Sequence, residues 1–130
     1  MPAFDPSAKK MLLSGNEAIS LSMLHCNVQI ATGYPGTPSS EILETYSEIG
    51  GYAQWAPNEK VAAEVALGAA FGHARSVVTM KHVGLNVASD VLYTATYSGV
   101  QGSMVWIVAD DPGQASSQNE QDTRNHAKAA

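Results

Sequence analysis

An open α/β fold, with a mostly parallel sheet and helices on both faces, is what the order of apolar segments predicts. Two observations carry it. The strand candidates, above all residues 76–80 and 104–109, are near-continuous apolar or β-branched runs rather than alternating ones, the pattern of strands buried on both faces. Between successive candidates lies a helix-length stretch, which supplies the crossover that each parallel return needs.

Taken in order, the first helix is expected over 16–24, where apolar residues recur at helical spacing and Asn16 can cap the start. A short apolar strand at 28–31 then meets Gly33-Tyr34-Pro35-Gly36-Thr37-Pro38, which is too rich in Gly and Pro for regular structure. Ser39 or Ser40 caps a helix over 41–49, in which Ile42, Leu43 and Tyr46 share a face and Gly50-Gly51 ends the element. Residues 52–56 form another short strand, residues 58–71 an Ala-rich helix closed by Gly72, and residues 76–80 a β-branched strand. Lys81-His82-Val83-Gly84 reads as a second turn, followed by a helix over 86–97, the strand 104–109, and a loop opening on Asp110-Asp111-Pro112-Gly113. Ligands of such sheets bind where loops leave the carboxyl ends of strands, so 33–38, 81–84 and 110–118 are the candidate site loops.

Composition bounds the function. With 130 residues, 45% hydrophobic and 15% charged, the chain is sized for one core, and it reads as a tail at 1–11 followed by a single domain at 12–130. A net charge of −5 and scattered Lys and Arg leave no basic stripe, so nucleic acid is excluded as a partner class. No apolar run approaches the roughly 20 residues that span a bilayer, and the N-terminal segment is too polar for a signal peptide, so no membrane is expected. Cys26, the single cysteine, has no internal disulfide partner, reads as a small buried side chain, and points to a reducing, cytoplasmic compartment. His25, His73, His82 and His126 lie far apart, without Cys clusters, and no metal is assigned to this segment. Phosphate-cradling Gly-rich motifs are absent as well.

Two carboxylates and one loop stand out among the remaining candidates. The 33–38 loop holds a turn between two prolines and then offers hydroxyls and N–H groups at a helix start, suited either to a polar ligand edge or simply to a strand-to-helix turn. Glu59 opens the Ala-rich helix, where the positive helix end favours a carboxylate, and Glu64 follows on its polar face.

The joint arrangement is more specific. Glu59, then Gly68 in an Ala-rich helix, then Ala74-Arg75, a β-branched strand, and Gly84 25 positions after Glu59, resembles the pyrimidine-binding domain of thiamine diphosphate enzymes. Taken with Ser14-Gly15-Asn16-Glu17-Ala18, Tyr34-Pro35-Gly36-Thr37-Pro38-Ser39-Ser40, Asn58-Glu59-Lys60-Val61-Ala62, Met80-Lys81-His82-Val83-Gly84-Leu85-Asn86 and Asp110-Asp111-Pro112-Gly113, the chain resembles the large subunits of indolepyruvate:ferredoxin oxidoreductases, a branch of the pyruvate:ferredoxin oxidoreductase family.

The resemblance implies that residues 12–130 are a pyrimidine-binding domain, incomplete at its C-terminus, and that Glu59 lies against the pyrimidine ring. A short hydrogen bond from that carboxyl group to a ring nitrogen promotes the imino form of the aminopyrimidine, which activates the thiazolium carbon toward a 2-oxo acid. It further implies that Thr37 faces the reactive carbon and the substrate, and that Tyr34, Pro35, Gly36, Lys81, Gly84 and Asn86 line the cofactor. His82 either acts on substrate or intermediate or packs in its turn. Lys81-His82-Val83-Gly84 replaces a more polar turn of the pyruvate enzymes and suggests an aryl-substituted substrate. The acidic Asp110-Asp111-Pro112-Gly113 loop, with Ser116 to Asp122 behind it, stands where the pyruvate enzymes offer a cationic contact, and it reads as a loop-ordering or subunit-contact segment.

The activity so implied is oxidative decarboxylation of an aryl 2-oxo acid, indolepyruvate-like, to acyl-CoA, with coenzyme A as acyl acceptor and ferredoxin as electron acceptor. Neither the Gly-Asp-Gly segment that holds the diphosphate and Mg²⁺ nor the Cys runs of [4Fe-4S] clusters occur in these 130 residues. A diphosphate-binding domain, a second subunit, Mg²⁺ and the clusters are therefore expected in the rest of the enzyme, with this chain an N-terminal fragment or a naturally short paralogue. The alternative is a non-catalytic α/β domain kept as an assembly or interaction module.

Overall fold

The computed structural model describes residues 10–115 and 117–130; residues 1–9, most of the expected tail, and Ser116 lie outside the described residues. Helices α1 (Gly15–His25), α2 (Ser40–Glu48), α3 (Glu59–Phe71), α4 (His82–Ser98) and α5 (Arg124–Ala129) alternate with strands β1 (Ile30–Gly33), β2 (Ala53–Trp55), β3 (Arg75–Lys81) and β4 (Ser103–Ala109), and a 3-10 turn occupies Pro112–Gln114. The strands form one sheet in the order β2-β1-β3-β4, and every pairing is parallel.

Both faces of this sheet are covered, as the apolar runs require. On one face Ala62, Ala63, Ala66 and Leu67 of α3 and Leu85, Ala88 and Val91 of α4 enclose Val78 and Met80 of β3. On the other, Met23 of α1 and Ile42, Leu43 and Tyr46 of α2 cover Ala31 and Val77. Consecutive residues Val77 and Val78 thus enter opposite cores, which is why β3 shows no polar alternation.

The path of the chain creates a switch point. From β1 it moves through α2 to β2 on one side, whereas β3 lies on the other side of β1 and leads through α4 to β4. Connections leaving β1 and β3 diverge to opposite faces, and the space outside their carboxyl ends is where a ligand of such a sheet sits.

Helix α3 lies close on the sheet because its inner face is alanine. Ala62, Ala63, Ala66 and Ala70 are fully buried. The Thr32 hydroxyl of β1 donates to the Ala62 carbonyl at 2.8 Å, and the Ser76 hydroxyl of β3 donates to the Ala66 carbonyl at 2.8 Å, one helical turn on. Strand hydroxyls reach helix carbonyls only across such a short gap, and here they satisfy their own buried polar atoms by doing so.

Several local expectations change. Ser14, not Asn16, caps α1: its hydroxyl accepts the Glu17 N–H while the Glu17 carboxylate accepts the Ser14 N–H, a reciprocal capping box. Ser39 holds the N-cap position of α2 but makes no side-chain cap bond. β1 begins and ends two residues later than the apolar run: Val28 lies before the strand, and its carbonyl accepts the Tyr46 hydroxyl at 2.6 Å. Cys26 is exposed, because it terminates α1 rather than facing a core. The expected turn at 81–84 does not exist: β3 passes directly into α4, with Lys81 as N-cap and His82, Val83 and Gly84 in its first turn.

Tyr46 ties α2 to the segment between α1 and β1 through that bond, and burial pushes its phenol above its ordinary pKa. A Tyr46→Phe substitution leaves the Val28 carbonyl without this donor and is expected to lower stability by about 1–2 kcal/mol. Urea unfolding measures this as a lower midpoint at unchanged slope.

Candidate functional site

Three chain exits meet at the carboxyl edge of the sheet. Gly33 pairs with Trp55 on one side and Thr79 on the other, so the loops after β1 and β2 leave from one level, and β3 runs two residues further before passing into α4. Gly33 is required there, because a Cβ would stand 2.6 Å from Thr79 Oγ1 and 3.3 Å from Leu43 Cδ2.

Beyond Gly33 the loop is locked by its serines. The Gly36 N–H donates to Ser40 Oγ at 2.8 Å, while the Gly36 carbonyl accepts the Ser39 hydroxyl at 2.7 Å and the Ser39 N–H at 2.8 Å. With Gly36 held on both sides, Thr37 and Pro38 form an exposed tip joined by a cis peptide bond. Tyr34 and Pro35 are exposed beside it. Asn16 of α1 braces the tip from behind, its amide donating to the Pro38 carbonyl at 3.0 Å and to Glu41 Oε2 at 2.8 Å.

Glu59 is the first residue of α3. Asn58 caps the helix, its side-chain oxygen accepting the Val61 N–H at 2.9 Å, and the carboxyl group stands at the positive helix end. It is half-buried and lies against the first turn of α4: a Cβ on Gly84 would meet Glu59 Oε1 at 2.6 Å and Cγ at 2.7 Å. Among the described residues no hydrogen bond or ion pair engages that carboxyl group. The neighbouring Lys60 ammonium is turned to Asp90 of α4 at 2.9 Å, which raises the Lys60 pKa through the hydrogen bond and the charge. Glu64 is exposed.

The head of α4 links these pieces. Lys81, 7% exposed, runs its stem along Gly36, where a Cβ would come within 3.1 Å of Lys81 Cβ, and its ammonium reaches Asp111 Oδ2 at 3.4 Å. His82 is fully enclosed, and its Nε2 lies 2.9 Å from the Asn119 carbonyl oxygen. Asn86 is exposed one turn further on. Of the residues expected at the site, Gly36 and Lys81 therefore touch, and so do Glu59 and Gly84, while Tyr34, Pro35, Thr37 and Asn86 stand in solvent at the same edge.

A thiamine pyrimidine ring fits what Glu59 offers. The ring needs a carboxyl group free of protein partners and held in one place, and the bare Gly84 backbone provides the seat. Sequence reasoning missed Asn16 as a brace and Ser40 as a lock. The Ser14-x-x-Glu17 capping pattern, which releases Asn16 from capping, was the available signal.

Comparison with known proteins gives the relatives and the fold. No protein-family model matches the chain. Indolepyruvate oxidoreductase subunit IorA of Pyrococcus horikoshii is 48% identical over 131 residues, covering 98% of this chain and 20% of that protein. The IorA of Methanothermobacter thermautotrophicus is 50% identical over 125 residues, 93% of this chain and 20% of that one. Ketoisovalerate oxidoreductase subunit VorA of Pyrococcus horikoshii is 32% identical over 126 residues, with 85% and 32% covered. A solved 2-oxoglutarate:ferredoxin oxidoreductase from Magnetococcus marinus, with 2-oxoglutarate, coenzyme A and succinyl-CoA bound, shares the fold at a TM-score of 0.68 and 24% identity, over 78% of this chain and 18% of that one.

The chain is homologous to subunits of 2-oxoacid oxidoreductases. Its homologues among these include the indolepyruvate oxidoreductase subunit IorA, and it spans about a fifth of the length of those relatives.

Replacing Gly84 with alanine tests the seat. Gly→Ala inside a helix ordinarily stabilises by about 1 kcal/mol, whereas here the new methyl group must displace the Glu59 side chain. The expected outcome is a folded chain in which the Glu59 carboxyl ¹³C resonance has shifted; an unshifted resonance contradicts the contact.

Proposed function

We propose that this chain supplies the pyrimidine half of a thiamine diphosphate site in an enzyme that oxidatively decarboxylates an aryl 2-oxo acid. The observation that carries this reading is Glu59: a half-buried carboxyl group, without a protein partner among the described residues, standing at a helix start against a glycine. Bound thiamine diphosphate supplies the carbon nucleophile that attacks a 2-oxo acid. Glu59 holds a hydrogen bond to the pyrimidine ring, Gly84 keeps that carboxyl in place, and the locked Gly36 turn presents Thr37 toward the substrate. Tyr34, Pro35, Lys81 and Asn86 complete this side of the site.

The rest of the enzyme brings the diphosphate-binding domain with Mg²⁺, the [4Fe-4S] clusters and a second subunit. Coenzyme A takes the acyl group and ferredoxin the electrons. Residues 12–130 form the pyrimidine-binding domain, in a cytoplasmic protein. The 48% identity to IorA supports an indolepyruvate-like substrate for the complete enzyme. In the described residues no helix is long and apolar enough to cross a membrane.

In the complete enzyme, Glu59→Gln keeps the side-chain volume and is expected to cut turnover on the order of a hundredfold or more, with the thermal midpoint nearly unchanged. Full retained activity removes the assignment and redirects it to Glu64. Because this chain offers only the pyrimidine half, calorimetric titration of the 130-residue chain with thiamine diphosphate is expected to give weak binding or none; tight binding overturns the half-site reading.

A further inference from the structure

His82 and Lys81 do more than border a cofactor. A carbonyl oxygen only accepts hydrogen bonds, so the 2.9 Å contact between His82 Nε2 and the Asn119 carbonyl places the ring proton on Nε2. Its Nδ1 is buried and meets no partner among the described residues. Beside it, the Lys81 ammonium pairs with Asp111, the two side chains only 9% and 14% exposed, and Ser117 Oγ donates to that Asp111 carboxylate at 2.7 Å.

The tied segment is also closed on itself. Asp110 accepts the Thr123 N–H at 3.2 Å and the Thr123 hydroxyl at 2.8 Å, and the Gly113 N–H donates to Glu120 Oε2 at 3.0 Å. The described residues of 111–123 thus form a loop shut at its base and fastened to two consecutive residues at the head of α4. One of the two, Lys81, also touches the site, since its stem packs on Gly36.

We propose that His82 is a positioning residue: by donating Nε2–H to Asn119 it holds the 111–123 loop beside the Gly36 turn, where the loop walls the substrate side and sets how the 2-oxo acid fits. The ring exchanges no proton with substrate. A group that does so needs a nitrogen on an open surface, whereas this ring is 0% exposed and its protonated nitrogen is committed to a main-chain carbonyl. The part concerning substrate rests on the function proposed above; the part concerning the loop does not.

The amides of glutamine and asparagine separate the two ring nitrogens, because the Gln amide nitrogen falls near the place of Nε2 and the Asn amide nitrogen near that of Nδ1. In the 130-residue chain, amide hydrogen exchange across 111–123 is expected to accelerate on the order of tenfold in His82→Asn and His82→Ala and to stay near wild type in His82→Gln. In the complete enzyme, His82→Asn is expected to raise KM for the 2-oxo acid with kcat largely kept, and His82→Gln to restore KM without altering the pH profile.

Unchanged loop exchange in His82→Asn overturns the tie. Loss of kcat in His82→Gln as deep as in His82→Ala, together with a missing limb of the pH profile, overturns positioning in favour of acid–base action. A fully active Glu59→Gln enzyme would instead indict the cofactor reading and leave the loop-exchange result standing.

Discussion

The short distance between α3 and the sheet is the constraint on which the rest depends. Alanines at 62, 63, 66 and 70 remove the side-chain bulk that ordinarily separates a helix from a sheet, and the Thr32 and Ser76 hydroxyls bond to α3 carbonyls across the remaining gap. A larger residue at any of these positions lifts the helix and breaks a buried hydrogen bond together with its packing. Because Glu59 is the first residue of the same helix, lifting α3 also moves the carboxyl group away from Gly84. The packing of the core and the position of the candidate catalytic group are one geometric fact.

Helix α4 is the second fixed body, and it starts without a loop. A strand that runs straight into a helix leaves its first helical residues at the carboxyl edge of the sheet, close to whatever leaves the neighbouring strands. Lys81, His82 and Gly84 exploit this in three ways. Lys81 presses its stem on the Gly36 turn and its charge on Asp111, His82 holds Asn119, and Gly84 yields its side-chain space to Glu59. A largely buried ion pair such as Lys81–Asp111 gives little net stability once desolvation is counted, so its contribution is better sought in fixing where the loop lies.

Much of this was legible in the sequence. The parallel sheet followed from apolar runs such as 76–80, whose residues Val77 and Val78 do enter opposite cores. The Gly36 turn and the spacing of Glu59 to Gly84 were visible as patterns, and in the structure that pair touches. What failed was the reason given for particular residues. Gly84 was read as a loop glycine within a turn at 81–84, yet it serves close approach inside a helix. Asn16 was read as a cap because a short polar residue before an apolar stretch usually is one, but Ser14 with Glu17 caps better and frees Asn16 for a contact 22 residues away with Pro38. Contacts of that range, like the His82 bond to Asn119, leave no local periodicity to read.

The glycine and the carboxyl group at this edge explain each other. A half-buried carboxyl group without a partner is costly, and a protein selected for stability alone would fill the space with a donor or let a Gly84 side chain push Glu59 into solvent. The chain does neither: Asn58 caps the helix in place of Glu59, Lys60 is drawn to Asp90, and Gly84 leaves the seat open. Each of these choices removes a competitor for the same carboxyl group. Departures from the locally most stable arrangement that converge on one group, unpaired among the described residues, are what a binding site for an outside hydrogen-bonding partner requires.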